Sequence, residues 1–173
     1  MSPRPPSGMA VLHPAWILAT WFGTGLIPKA PGTLASLAAL PFAWIIQSHF
    51  GATGLAAAAI IATAIGLWAS SQIVTPASTD DPGHIVIDEV AGQWLTLAPV
   101  AAMAPLPDAV FYATGFVLFR LFDIMKPFPV DWAERRFKGA LGIMADDIVA
   151  AVYAGIGAGF IYAYSHGLGP FSA

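Results

Sequence analysis

From Ala30 to Thr79 the chain carries no Asp, Glu, Lys or Arg, an uncharged run of 50 positions. As helix, such a run is long enough to cross a hydrocarbon layer of about 30 Å twice. Only 10% of the 173 residues are charged and 57% are apolar, against roughly 25% charged in an average soluble protein. A soluble globule of this size would lack the polar surface to cover itself. The sequence therefore predicts an all-α, polytopic membrane helix bundle.

Residues 1–8 are rich in Pro and Ser and read as a disordered tail, leaving 9–173 as a single integral membrane domain. The apolar run Met9–Phe22 superficially resembles a signal peptide. His13-Pro14 interrupts it and no small-x-small cleavage site follows, so it is expected to be retained. Val11–Phe22 is short for a span and ends in Gly23-Thr24-Gly25, which predicts a short interfacial or half-inserted helix. About five spans follow. The first runs from Leu34 to Phe50, with Thr33 as N-cap and Pro41 as a kink. After a tight turn at Gly51–Gly54, the second covers Leu55 to about Val74 and is rich in small residues suited to close helix packing. The third runs from near Ile85 to Pro105, the fourth from Asp108 to Met125, and the fifth from about Ile143 to Tyr164.

With these spans, all seven Lys and Arg fall on one side, which the positive-inside rule assigns to the cytoplasm. The acids share that side. Asp80, Asp81, Asp88, Glu89, Asp123, Asp131, Glu134, Asp146 and Asp147 lie in or near its connections, and Asp108 alone lies opposite. The absence of cysteine excludes disulfides, zinc–thiolate sites and thiol catalysis. No basic footprint supports nucleic-acid binding.

Ionised groups near hydrocarbon are costly unless paired or coordinated, which makes them functional candidates. Three clusters stand out: Asp88-Glu89, one turn into the third span; Arg120, Asp123 and Lys126 at i, i+3, i+6 on the fourth; and Asp146-Asp147 in the first turn of the fifth. Adjacent residues on a helix diverge by about 100°, so one acid of each pair is expected to face the site and the other to cap, bridge or serve a second ion. Carboxylates without Cys, and without His at ligand spacing, suit a hard cation such as Mg²⁺. Arg and Lys beside them suit a phosphate group. Blander readings exist for each cluster. Asp146-Asp147 could answer a helix dipole, and Arg120–Asp123 could be an intrahelical ion pair. His84 reads as a loop residue. The loop Gly23–Thr33 is not a P-loop, because Ala30 follows Lys29. It could still cradle an anion through backbone N–H groups, or serve as a structural turn.

Four strings resemble the phosphatidylglycerophosphatase A family: Gly23-Thr-Gly-Leu-Ile-Pro-Lys-Ala-Pro-Gly-Thr33, Ile85-Val-Ile-Asp-Glu89 with Gly92, Phe119-Arg-Leu-Phe-Asp-Ile-Met-Lys-Pro127, and Gly142-Ile-Met-Ala-Asp-Asp147. They stand in the family's order. The resemblance implies a Mg²⁺-dependent phosphatase of the bacterial inner membrane that converts phosphatidylglycerophosphate to phosphatidylglycerol. It implies Asp88, Glu89, Asp123, Asp146 and Asp147 as cation ligands. Asp88, Asp123, Asp147 and Lys126 are the expected catalytic residues, and Arg120, Lys126, Lys29, Gly32 and Thr33 the expected substrate contacts. Two rival classes fit the residues less well: a cation-coupled transporter or channel, which needs acids near mid-bilayer, and a catalytically silent lipid-binding scaffold.

Overall fold

The computed structural model describes residues 3–76, 82–104 and 106–168; the expected loop acids Asp80 and Asp81 lie outside them. Among the described residues the fold is all-helical. Its elements are α1 (Pro14–Ala19), a 3-10 turn (Thr24–Leu26), α2 (Pro31–Ser71), α3 (Ile87–Ala101), α4 (Ala109–Met125), α5 (Val130–Arg136) and α6 (Gly139–Ser165).

Helix α2 has 41 residues, about 60 Å if straight, roughly twice the thickness of a bilayer core. It is not straight. Gly51 adopts φ 63°, ψ −162°, a region open essentially to glycine alone, and breaks the helix into two limbs. The break is one residue, not the expected turn over Gly51–Gly54, since Ala52, Thr53 and Gly54 are already helical. The first limb runs beside α3 in the same direction: Gly32 lies against Glu89, the Trp94 indole N–H donates to Ala39 O at 3.0 Å, and the Gln47 amide donates to Ala104 O at 3.1 Å. The second limb returns, bringing Gly66 back to Ile87 and Met144. Helix α4 runs antiparallel to α3, with Gly115 at Leu97 and Phe119 at Gly92, whereas α6 runs parallel to it, with Gly155 at Thr96 and Gly159 at Val100.

Small residues line the inside of this bundle and large ones cover the outside. Ala35, Ala39, Ala43, Leu55, Ala59 and Ala62 are buried along α2, while Phe42, Ile45, Phe50, Ile60 and Ile61 are exposed. In water such a surface would be an aggregation site; in lipid, close approach of small residues is how helices associate. Helices α2 and α6 are long and apolar enough to cross a membrane, and the chain is membrane-associated. With 15 and 17 residues, α3 and α4 are shorter than the roughly 20 of a straight crossing.

Several boundaries differ from expectation. The N-terminal helix shrinks to six residues. Helix α2 starts at Pro31 after Ala30 rather than after a Thr33 cap, because proline is pre-organised for the first helical position. Helix α5 was not anticipated. Helix α6 begins at Gly139, four residues before the expected Ile143.

Candidate active site

The N-terminal ends of α2, α3 and α6 and the C-terminal end of α4 meet at one end of the bundle, and each brings polar side chains there. Asp88 and Glu89 sit in the first turn of α3, where the helix dipole favours carboxylates. Asp123 is two residues from the end of α4, and Asp146 and Asp147 lie on α6. Asp88, Asp123, Asp146 and Asp147 are all buried. One oxygen from each of Asp88, Glu89 and Asp147 lies within 4.8 Å of the other two, and the same holds for Asp123, Asp146 and Asp147. The five expected carboxylates, carried by three helices, do converge.

Two details of the expectation fail. Both members of each adjacent pair reach the cluster, although their Cα–Cβ directions diverge. A carboxylate at the end of a side chain can swing back, and Glu89 has an extra methylene for doing so. Asp146 and Asp147 are not in the first turn of their helix. Because α6 starts at Gly139 they lie in its third turn, and a dipole effect confined to the first turn does not account for them.

The basic residues hold the carboxylates in place. Arg120 Nη1 lies 2.9 Å from Asp123 Oδ2 and 3.9 Å from Glu89 Oε1, and donates to Ser36 Oγ at 3.4 Å. The expected intrahelical pair is therefore one arm of a contact joining α4 to α3 and α2. Lys126 caps α4 in a left-handed conformation, φ 43°, uncommon for a residue with a side chain. From there Nζ reaches Asp146 Oδ2 at 2.9 Å and Glu134 Oε1 at 2.6 Å. Burial opposes its charge, but hydrogen bonds to Glu134 and Asp146 outweigh burial and hold its pKa above the ordinary lysine value. Lys126 is an ammonium.

The first loop meets the cluster through Gly32. A Cβ on Gly32 would overlap Oε1 of Glu89 and lie 3.3 Å from Arg120 Nη2, so this glycine makes room for the carboxylate. Thr33 is half-buried one position later, and Lys29 is exposed, with no ion pair to the cluster. His84 packs against Trp16 in a tilted arrangement, ring centroids 5.1 Å apart, and burial lowers its pKa. Ser36 and Gln93 carry no charge that marks them in the sequence, and Glu134 is marked there only as one of the acids on the shared side. Ser36 and Gln93 each lie four residues, one helical turn, beyond a recognised residue, Gly32 and Glu89, and that spacing was the available signal.

Some of these groups are left incomplete. Glu89 Oε2, Asp147 Oδ2, Arg120 Nε and both amide atoms of Gln93 are buried with no hydrogen-bond partner. Buried polar atoms are normally bonded, and an uncompensated carboxylate in a low-dielectric interior is expensive. The donor set is all oxygen, the kind that could hold a hard divalent cation, and the Arg and Lys donors beside it fit phosphate oxygens.

A family profile described as Phosphatidylglycerophosphatase A matches residues 17–162, a stretch that holds all five carboxylates, Arg120 and Lys126. The chain belongs to the phosphatidylglycerophosphatase A family. It is 38% identical over 160 residues to Phosphatidylglycerophosphatase A of Escherichia coli (strain K12), covering 92% of this chain and 88% of that one. To the protein of the same name in Haemophilus influenzae it is 34% identical over 151 residues, covering 87% and 90%. A Bacteroides thetaiotaomicron protein provisionally named phosphatidylinositol-3-phosphatase is 35% identical over 149 residues, covering 79% of this chain and 86% of that one. No solved structure matches. Membership in the phosphatidylglycerophosphatase A family makes the chain a phosphatase, and the carboxylate cluster is its candidate active site.

Proposed function

We propose that the chain hydrolyses the terminal phosphomonoester of phosphatidylglycerophosphate, with Mg²⁺, at the cytoplasmic face of a bacterial inner membrane. The observation that carries this reading is the buried cluster itself: carboxylates with unpartnered oxygens, flanked by Arg120 and Lys126, in a membrane-associated member of this phosphatase family. Asp88, Glu89, Asp123, Asp146 and Asp147 would hold the cation, whose contribution is to polarise phosphoryl oxygen and lower the pKa of water. Arg120 and Lys126, each already oriented by carboxylates, present N–H donors to the equatorial phosphoryl oxygens as charge builds on them. Water attacks phosphorus; its new P–O bond replaces the bond to the glycerol oxygen. One water proton passes by way of a cluster carboxylate to that leaving oxygen, giving a lipid alcohol and inorganic phosphate.

In this reading all five limbs cross the bilayer, α3 and α4 being short because their acidic ends stop at headgroup depth. The seven Lys and Arg then lie on the cytoplasmic side with the cluster. A phosphate carried by an inner-leaflet lipid meets the site without leaving the interface. The transporter reading needs ionisable groups on facing helices near mid-bilayer. Here the buried acids collect at one end, and the groups bonded to Gln47 at the other end are neutral, the acid there being Asp108, which caps α4.

Protein purified in detergent should release phosphate from phosphatidylglycerophosphate with Mg²⁺ and stop when EDTA is added. Phosphatidylinositol 3-phosphate, tested in parallel, should be the poorer substrate. Activity that survives Asp123→Asn and Asp147→Asn together ends the assignment.

A further inference from the structure

We infer that the site is built for two divalent cations, with Asp147 as the ligand common to both. The inference rests on the metal-dependent reading above and adds the number of ions and the role of one residue. Two sets of three carboxylates each fall within reach of a single ion. Asp88 and Glu89 with Asp147 form one, and Asp123 and Asp146 with Asp147 the other. Asp147 alone belongs to both. In two-metal phosphatase sites the ions lie about 3.5–4 Å apart, a separation that one carboxylate spans with its two oxygens.

An independent observation points the same way. Asp147 is 3% exposed, no Lys or Arg pairs with it, and its Oδ2 has no hydrogen-bond partner. Three of the other acids differ in this respect. Arg120 reaches Asp123 and Glu89, and Lys126 holds Asp146. Arg120 and Lys126 thus pair with Glu89, Asp123 and Asp146, and neither pairs with the shared Asp147.

Charge separates one ion from two. Arg120 and Lys126 offset two of the five carboxylates. A single divalent cation leaves the centre still anionic, and it would repel a phosphomonoester carrying nearly two negative charges. A second divalent cation brings the centre close to neutral, with Glu134 sharing Lys126. A near-neutral centre no longer repels the incoming phosphate, which couples substrate binding to a fully loaded site.

The test is Mn²⁺ binding to the full chain in detergent, stripped with EDTA, without any lipid substrate. Titration read by calorimetry and by electron paramagnetic resonance should give about two Mn²⁺ per chain with an exchange-coupled spectrum, as for ions in van der Waals proximity. Asp147→Asn should abolish the coupling. Asp88→Asn and Asp146→Asn should each leave about one uncoupled Mn²⁺, because each damages a different set. Circular dichroism of each variant separates lost binding from lost folding. Saturation at one Mn²⁺ in the unmodified chain, or an uncoupled pair, overturns the inference while leaving phosphatase activity to be judged by the lipid assay. Two coupled ions with no release of phosphate from phosphatidylglycerophosphate would sink the substrate assignment and keep the dinuclear site.

Discussion

The two ends of the bundle treat buried polarity in opposite ways. At the end away from the cluster, Gln47 is 2% exposed, yet both its amide atoms are bonded, the nitrogen to Ala104 O and the oxygen to the Tyr112 hydroxyl at 2.8 Å. That network is neutral and complete within the protein, so it contributes to stability. At the cluster end, Asp147 is equally buried but ionisable, and one of its oxygens has no partner. Such a group costs folding free energy and persists where function requires it. The contrast separates a polar group that holds the fold together from one that the fold holds in readiness for a ligand.

Breaking the cluster end should affect activity and spare stability. Asp147→Asn is expected to lower phosphate release by about 10³-fold or more, the scale of losing a key electrostatic group. With a buried carboxyl removed that no Lys or Arg pairs with, the metal-free variant should melt no lower than the parent protein in EDTA, and higher if repulsion among the carboxylates dominates. A variant that loses both activity and metal-free stability would erase the contrast.

A smaller effect is expected from Gly32→Ala. The added methyl must displace the Glu89 carboxylate, and misplacement of an active-site group by about 1 Å can cost about 10²-fold in rate. Alanine is the better helix former by about 1 kcal/mol, so thermal stability should hold while phosphate release drops. Unchanged activity would show that Glu89 is not needed where the structure puts it.

The opposite end should respond in the opposite sense. Gln47→Leu keeps the volume but strands the Tyr112 hydroxyl and the Ala104 carbonyl. It is expected to cost about 1–3 kcal/mol of stability, read by thermal unfolding in detergent, with phosphate release per folded molecule within about twofold of the parent. Loss of catalysis greater than loss of folded protein would mean that the two ends are coupled.

Much of this arrangement is legible along the chain. The uncharged run Ala30–Thr79 specifies membrane helices because nothing else can bury it, and α4 matches its expected bounds because Asp108 caps one end and Pro127 stops the other. The acids could be named because a charge beside hydrocarbon is conspicuous. Harder to read were positions whose meaning depends on a neighbour distant in sequence. Gly32 reads as part of an anion-cradling or structural turn, and nothing local to it shows that its lack of a side chain makes room for Glu89, 57 positions further on. Gln93 and Ser36, uncharged and inside apolar helices, gave no compositional signal. Glu134 could not be assigned before α5 was known to carry it to Lys126.

The sequence by itself thus determined the helical class, the preference for lipid and the residue types that gather near one set of helix ends, because hydrophobic periodicity and charge are local properties. Tertiary structure alone decided that Asp147 joins two carboxylate sets, that Arg120 ties three helices together and that one residue, Gly51, folds the longest helix back on itself. Those outcomes depend on distances between residues far apart along the chain, and packing, not composition, sets such distances.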